Sequence, residues 1–201
     1  MFEKRARQAE ALSSIFERLV GLGVDRLELQ DAVKLGTAAL ECLERARAEL
    51  LSAEDVWPSE ELGGVFDATK AQLTRIDKAG QYSRDAQRLL RKLREELSDA
   101  TLGAYIDFHI KEFSTFVESF MDGMISDWVV KSKIQAASST CGITIAAVSA
   151  TLVECQRQLD EVDRNIKTLT ERRRQFIESG ECDWDCIPVA SPNRLGNVRS
   201  S

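Results

Sequence analysis

His109 is the only histidine in the chain, so any Ser–His–Asp or Cys–His centre would have to be built on it. No nucleophile elbow or local catalytic pattern accompanies it. It lies beside an aromatic stripe, where a histidine is a flanking core or surface residue. A four-helix di-iron site needs two Glu-x-x-His motifs, and Ile106 stands three positions before this single histidine. Cys182 and Cys186 bracket Asp183, Trp184 and Asp185. Two thiolates and two carboxylates could hold a metal weakly, or the thiols could close into a local disulfide under oxidising conditions. Structural zinc wants four ligands and closer cysteine pairs, so the plain reading is two tail cysteines. Trp184, an aromatic in an acidic tail, reads instead as an anchor for a partner.

Two basic clusters remain, "RLLRKLRE" (88–95) and "ERRR" (171–174). Arg88, Arg91, Lys92 and Arg94 alternate with leucines, and Glu95 and Glu96 follow at once, which describes a solvated helix face. The glycines of "GLGV" and "ELGGVF" are too few and wrongly spaced for a phosphate-binding loop. The sequence therefore predicts no catalytic residue, no metal, no cofactor and no small-molecule substrate: the chain is expected not to be an enzyme. With 33 acidic against 27 basic residues and a net charge of −6, it lacks the basic excess of a nucleic-acid binder.

Long helices are the elements that must position whatever surface does the work. Leu, Ala, Glu and Arg dominate, and no proline lies between Pro58 and Pro188, as unbroken helices require. Phe2, Ala6, Ala9, Leu12, Phe16 and Leu19 form one apolar stripe, which "GLG" at 21–23 is expected to end. Asp25 and Glu28 resemble a capping box for a second helix, with Leu29, Val33, Gly36, Leu40, Leu43 and Leu50 as its stripe. Pro58 and Ser59 mark a break and a new start. Phe66, Leu73, Ile76, Ala86, Leu90, Leu93 and Leu97 follow, with a weak spot at 80–83. From Ile106 the stripe turns aromatic (Ile106, Ile110, Phe113, Val117, Phe120, Met124), and this region is expected to hold the densest core.

The last helix is the clearest. Cys141, Ile145, Val148, Leu152, Cys155, Leu159, Val162, Ile166, Leu169 and Phe176 recur in alternating four- and three-residue steps, the signature of helix-on-helix packing. Residues 134–153 within it carry no charge, although 30 % of the chain is charged. A helix uncharged on all sides is buried in protein or in lipid. As a membrane span the stretch is weak: its six strong inserters supply about −2 to −3.5 kcal/mol at best, against seven Ser, Thr and Gln residues. It is therefore expected to be a central bundle helix. Unbroken, 134–178 would extend roughly 67 Å, far more than the ~16–17 Å radius of gyration of a compact chain this size.

The sequence thus predicts an all-α fold: an elongated bundle of five or six helices with a long C-terminal antiparallel helical hairpin, turning near 131–139. Residues 1–178 form one helical-bundle domain, divisible into an N-terminal helical hairpin (1–57) and a long-helix bundle (58–178). Residues 179–201 form a flexible, disordered tail. The function expected is that of a non-catalytic interaction or scaffold protein. It self-associates or binds a protein partner through the seam at Leu159, Val162, Ile166 and Leu169, where a narrow stripe has charged flanks. The alternative is a membrane-active, pore-forming or inserting protein whose hairpin 102–153 enters lipid through Ile143, Ile145, Val148 and Leu152. Five scattered cysteines and an N-terminus without a continuous apolar core point to the cytoplasm, with non-classical export left open.

Overall fold

A computed structural model describes residues 2–55, 65–97, 100–122 and 127–179. They form four helices, with no strand among the described residues: α1 (Phe2–Asp55), α2 (Val65–Glu96), α3 (Ala100–Asp122) and α4 (Asp127–Ser179). The all-α expectation holds, and the described helices number four rather than five or six. With 54 and 53 residues, α1 and α4 each run ~80 Å at 1.5 Å per residue. The tail from Gly180 onward, with Trp184, Cys182 and Cys186, lies outside the described residues.

Two expected breaks are absent. α1 passes straight through Gly21 and Gly23, so residues 1–57 are not a helical hairpin. Each glycine costs the helix about 1 kcal/mol relative to alanine, a penalty that the contacts of the flanking turns on α4 offset. α4 is already helical from Asp127, so the connection from α3 falls at 123–126, outside the described residues, and not at 131–139. α2 likewise runs unbroken through 80–83.

The stripes that bury are strict in their spacing. On α2 they are Gln72, Ile76, Ala79, Ser83, Ala86, Leu90 and Leu93, with Leu97 just past its end. On α3 they include Ile106, Ile110, Phe113 and Val117. On α4 every seventh residue from Ile134 to Phe176 is buried: Ile134, Cys141, Val148, Cys155, Val162, Leu169 and Phe176. On α1 Ala32, Ala39, Ala46 and Ala53 form a seven-residue ladder beside Leu29, Leu43 and Leu50. Three- and four-residue steps keep such residues on one side of a helix. Among the described residues the core extends along α1, α2 and α4 and includes Ile106, Ile110, Phe113 and Val117 of the aromatic stretch. Five polar residues are buried with them: Gln72, Ser83, Ser138, Thr144 and Thr151. Gln72 donates Nε2 to the carbonyl of Ala53 at 3.1 Å, whereas Leu73, expected in the stripe, is half exposed. Thr144 and Thr151 turn their hydroxyls back to the carbonyls of Thr140 and Ala147 (2.9 and 3.0 Å). Each hydroxyl thus stays bonded while its methyl packs.

α1 lies between α2 and α4, and α3 packs on the same two helices. Gln135 donates to Glu54 at 2.6 Å, Gly142 sits under the Arg47 guanidinium, Gly36 lies against Leu152, and Arg26 pairs with Asp163 at 2.7 Å. Each step back along α1 is matched by an equal step forward along α4, so the two run antiparallel. α2 is antiparallel to α1 as well: Gln72 meets Ala53, Arg75 meets Glu49 at 3.4 Å, and the Tyr82 ring lies 6.0 Å from the Arg45 guanidinium carbon. Extending those steps brings the end of α2 level with Asp31 and Lys34. The first thirty residues of α1 thus project beyond α2, accompanied by the last turns of α4.

Candidate interaction surfaces

The groups that could have done chemistry are dispersed. His109 sits on α3, edge-on to Tyr105 with ring centroids 5.1 Å apart, and its Nδ1 is 4.0 Å from a Glu112 oxygen. Among the described residues no three His, Cys, Asp or Glu side chains gather as a metal site would require. Burial pushes the Cys141 thiol up to about 11, with Arg47 pulling slightly the other way. An inert buried thiol is the result. Three basic residues of these clusters are paired: Arg88 with Asp85 at 3.0 Å and Arg174 with Glu171 at 2.9 Å within their helices, and Arg94 of α2 with Asp107 of α3 at 3.1 Å. Arg47, Glu54, Gln135, Ser138, Ser139 and Gly142 line an open groove of about 670 Å³ between α1 and α4. It joins one base, one acid and two serines, with the acid held by Gln135.

The seam residues face inward. Val162 and Leu169 are buried, and Leu159 and Ile166 are partly buried against the same core. α1 occupies this seam within the chain, through Arg26 opposite Asp163 and through buried Ala11 and Ile15 at the far end. Of the candidate lipid-facing residues, Val148 is fully buried, Ile145 and Leu152 pack at the core's edge, and Ile143 is 54 % exposed. The uncharged stretch is therefore not enclosed. Ala136, Ser139, Ile143, Ala146, Ala150 and Val153 form an outward row, in which Val153 is 72 % exposed. The charged residues Arg157, Asp160 and Arg164 take over that exposed side farther along. By length and composition, one 18-residue window within Ser132–Glu178 is apolar enough to cross a membrane, a test that the core helix of a helical bundle also passes.

α1 carries a second surface that the spacing argument does not identify. Phe16, Val20, Val24 and Leu27 are 60, 51, 49 and 63 % exposed. Their spacing places them on one face of α1, away from α4. Ala11 and Ile15, not the Ala9 and Phe16 line, turn toward the core. Val20, Val24 and Leu27 simply continue the stripe that begins at Phe2. The signal was present, but ending the helix at "GLG" cut it in half. Two apolar faces on one helix leave one of them outside whichever partner the chain supplies.

This outer face prolongs the contact with α2. Stepping back along α1 from Ala53, Glu49, Arg45 and Cys42, all beside α2, leads through Leu35 and Asp31 to Leu27, Val24, Val20 and Phe16. Asp31 is tied to Lys34 at 2.8 Å, where α2 stops. Glu10, Glu17 and Glu28 lie along one edge of the face. No protein-family model, curated protein or solved structure matches the chain.

Proposed function

We propose that the protein is a non-catalytic helical scaffold that binds a protein partner or a second copy of itself in the cytoplasm. The observation that carries this reading is the exposed row Phe16, Val20, Val24 and Leu27 on a helix that projects past its neighbour. Large apolar side chains in line on a soluble surface mark association sites. The buried three-four spacing supports an elongated, coiled-coil-like bundle, in which α3 and α4 form a long hairpin. The association surface is the outer face of α1, because α1 itself fills the Leu159–Leu169 seam.

Binding by the intact chain tests the reading. Immobilised protein should retain defined species from an extract of its own source, and Phe16→Ser with Leu27→Ser should release them while helicity stays unchanged. Identical retention by both proteins would refute it.

A membrane-active reading has its own support in the uncharged outer row of α4, from Ala136 to Val153. Liposome co-flotation tests it. Salt-resistant flotation abolished by Ile143→Asp with Val153→Asp would favour it, and protein remaining in the soluble fraction with anionic and neutral lipid would sink it.

A further inference from the structure

We infer that the outer face of α1 receives a basic amphipathic helix, which lies antiparallel to α1 and continues the line of α2. The inference rests on the scaffold reading and names the kind of partner. Three observations converge on it.

The first is continuity. The face that holds α2 from Ala53 back to Leu35 keeps its three- and four-residue steps through Leu27, Val24, Val20 and Phe16 after α2 has ended. A shelf shaped for an antiparallel helix is therefore extended by roughly 15–20 Å at 1.5 Å per residue, which is the length of a three-turn recognition helix.

The second is chemistry. The row consists of one aromatic and three aliphatic side chains at the i, i+4, i+8 and i+11 positions, the anchor spacing of helix-on-helix recognition.

The third is charge. Glu10, Glu17 and Glu28 line one edge of the shelf, while the arginine beside its other edge, Arg26, is committed to Asp163 on α4. A partner with lysines or arginines along its matching edge gains from this, and one with acids there is repelled. The same edge argues against a second copy. Two α1 helices laid antiparallel face to face would set glutamate edge against glutamate edge.

The test uses the full chain and a labelled synthetic peptide of about 18 residues, with leucines at three- and four-residue steps and lysines on the flanks. A control peptide carries glutamates in place of the lysines. Fluorescence anisotropy should show the lysine peptide binding wild type and the glutamate peptide binding at least about tenfold more weakly. Val20→Asp should weaken the lysine peptide by about tenfold or more, although it makes the protein more acidic. Glu10→Lys with Glu17→Lys, both on the surface, should also weaken it.

Equal or tighter binding by Val20→Asp would mean attraction by net charge alone and would overturn the inference, as would no binding by wild type. Sedimentation equilibrium runs alongside. A wild-type dimer that Val20→Asp dissociates would show that a second copy holds the shelf. That outcome overturns the basic-helix partner and leaves the scaffold reading standing.

Discussion

Gly36 and Gly21 lie in the same helix, and the same substitution should stabilise at Gly21 but not at Gly36. At Gly21 an added Cβ meets nothing within 4 Å. Gly21→Ala therefore gains only helix propensity, about 1 kcal/mol, or a melting temperature higher by roughly 2–4 °C for a chain of this size. At Gly36 the same Cβ would stand 2.5 Å from Leu152 Cδ2, 3.1 Å from its Cγ and 3.4 Å from its Cδ1. Propensity is again worth about 1 kcal/mol, but a crowded contact costs about 1–3 kcal/mol. Leu152 is partly buried against the core, so the cost is set by how far its side chain can swing aside. The intrinsic gain cancels between the two variants, so their difference, about 1–3 kcal/mol, isolates the close approach of α1 to α4. Urea melts of both variants measure it, and adding Leu152→Ala should restore the Gly36→Ala gain. If Gly36→Ala stabilises as much as Gly21→Ala, the two helices do not meet at this point and the placement of α4 on α1 is wrong.

Other outcomes follow from single contacts. Val148→Asp puts a carboxylate in a fully buried position and should cost several kcal/mol, read as a sharply lower melting temperature; an unchanged melt would contradict the core assignment. Hydrogen bonds from Arg157, then Gln158, hold the Glu154 carboxyl down at about 2. Its folded value lies below the unfolded one, so its contribution is present above pH ~4.5 and is lost as pH falls toward about 2. Arg157→Ala should raise the carboxyl midpoint seen by NMR, and an unmoved midpoint would remove Arg157 as the cause. Cys42, partly exposed, should react with a thiol reagent at pH 8 before buried Cys141 and Cys155, the order vanishing in denaturant; faster labelling of Cys141 would place it at the surface.

Much of α2, α3 and α4 could be read from spacing, because each presents one dominant apolar stripe. Ala86, Leu90, Leu93, Ile106, Ile110 and Phe113 are buried where the pattern put them. α1 resisted because it has two apolar faces, and periodicity finds stripes without saying which one turns inward. Phe16, the bulkier residue, drew the assignment, while Ala11 and Ile15 make the internal contact. Glycines at 21 and 23 suggested a terminus, yet a helix anchored on both sides outlasts two unfavourable residues. Gln72, Thr144 and Thr151 were hidden for another reason: their polar atoms find backbone carbonyls, which a hydropathy pattern does not record. The uncharged stretch was expected to be enclosed on every side. The outward row, in which Ile143 and Val153 stand exposed among alanines and a serine, shows that absence of charge does not by itself mean burial.

The seven-residue repeats on α1 and α4 have a consequence for how the fold selects itself. Ala32, Ala39, Ala46 and Ala53 repeat every seven residues on α1, and the buried line from Ile134 to Phe176 on α4 repeats with the same period. Sliding α4 by one repeat, roughly 10 Å, would carry each residue of its buried line into the place of the next. Burial alone barely separates the native alignment from its shifted neighbours. The choice falls to features that occur once: Gly36 against Leu152, Arg26 with Asp163, and Glu54 with Gln135. These contacts act as keys on an otherwise repeating track. A chain that lost them would keep its helices and its apolar core, and would lose its definition of where one helix stops against the other.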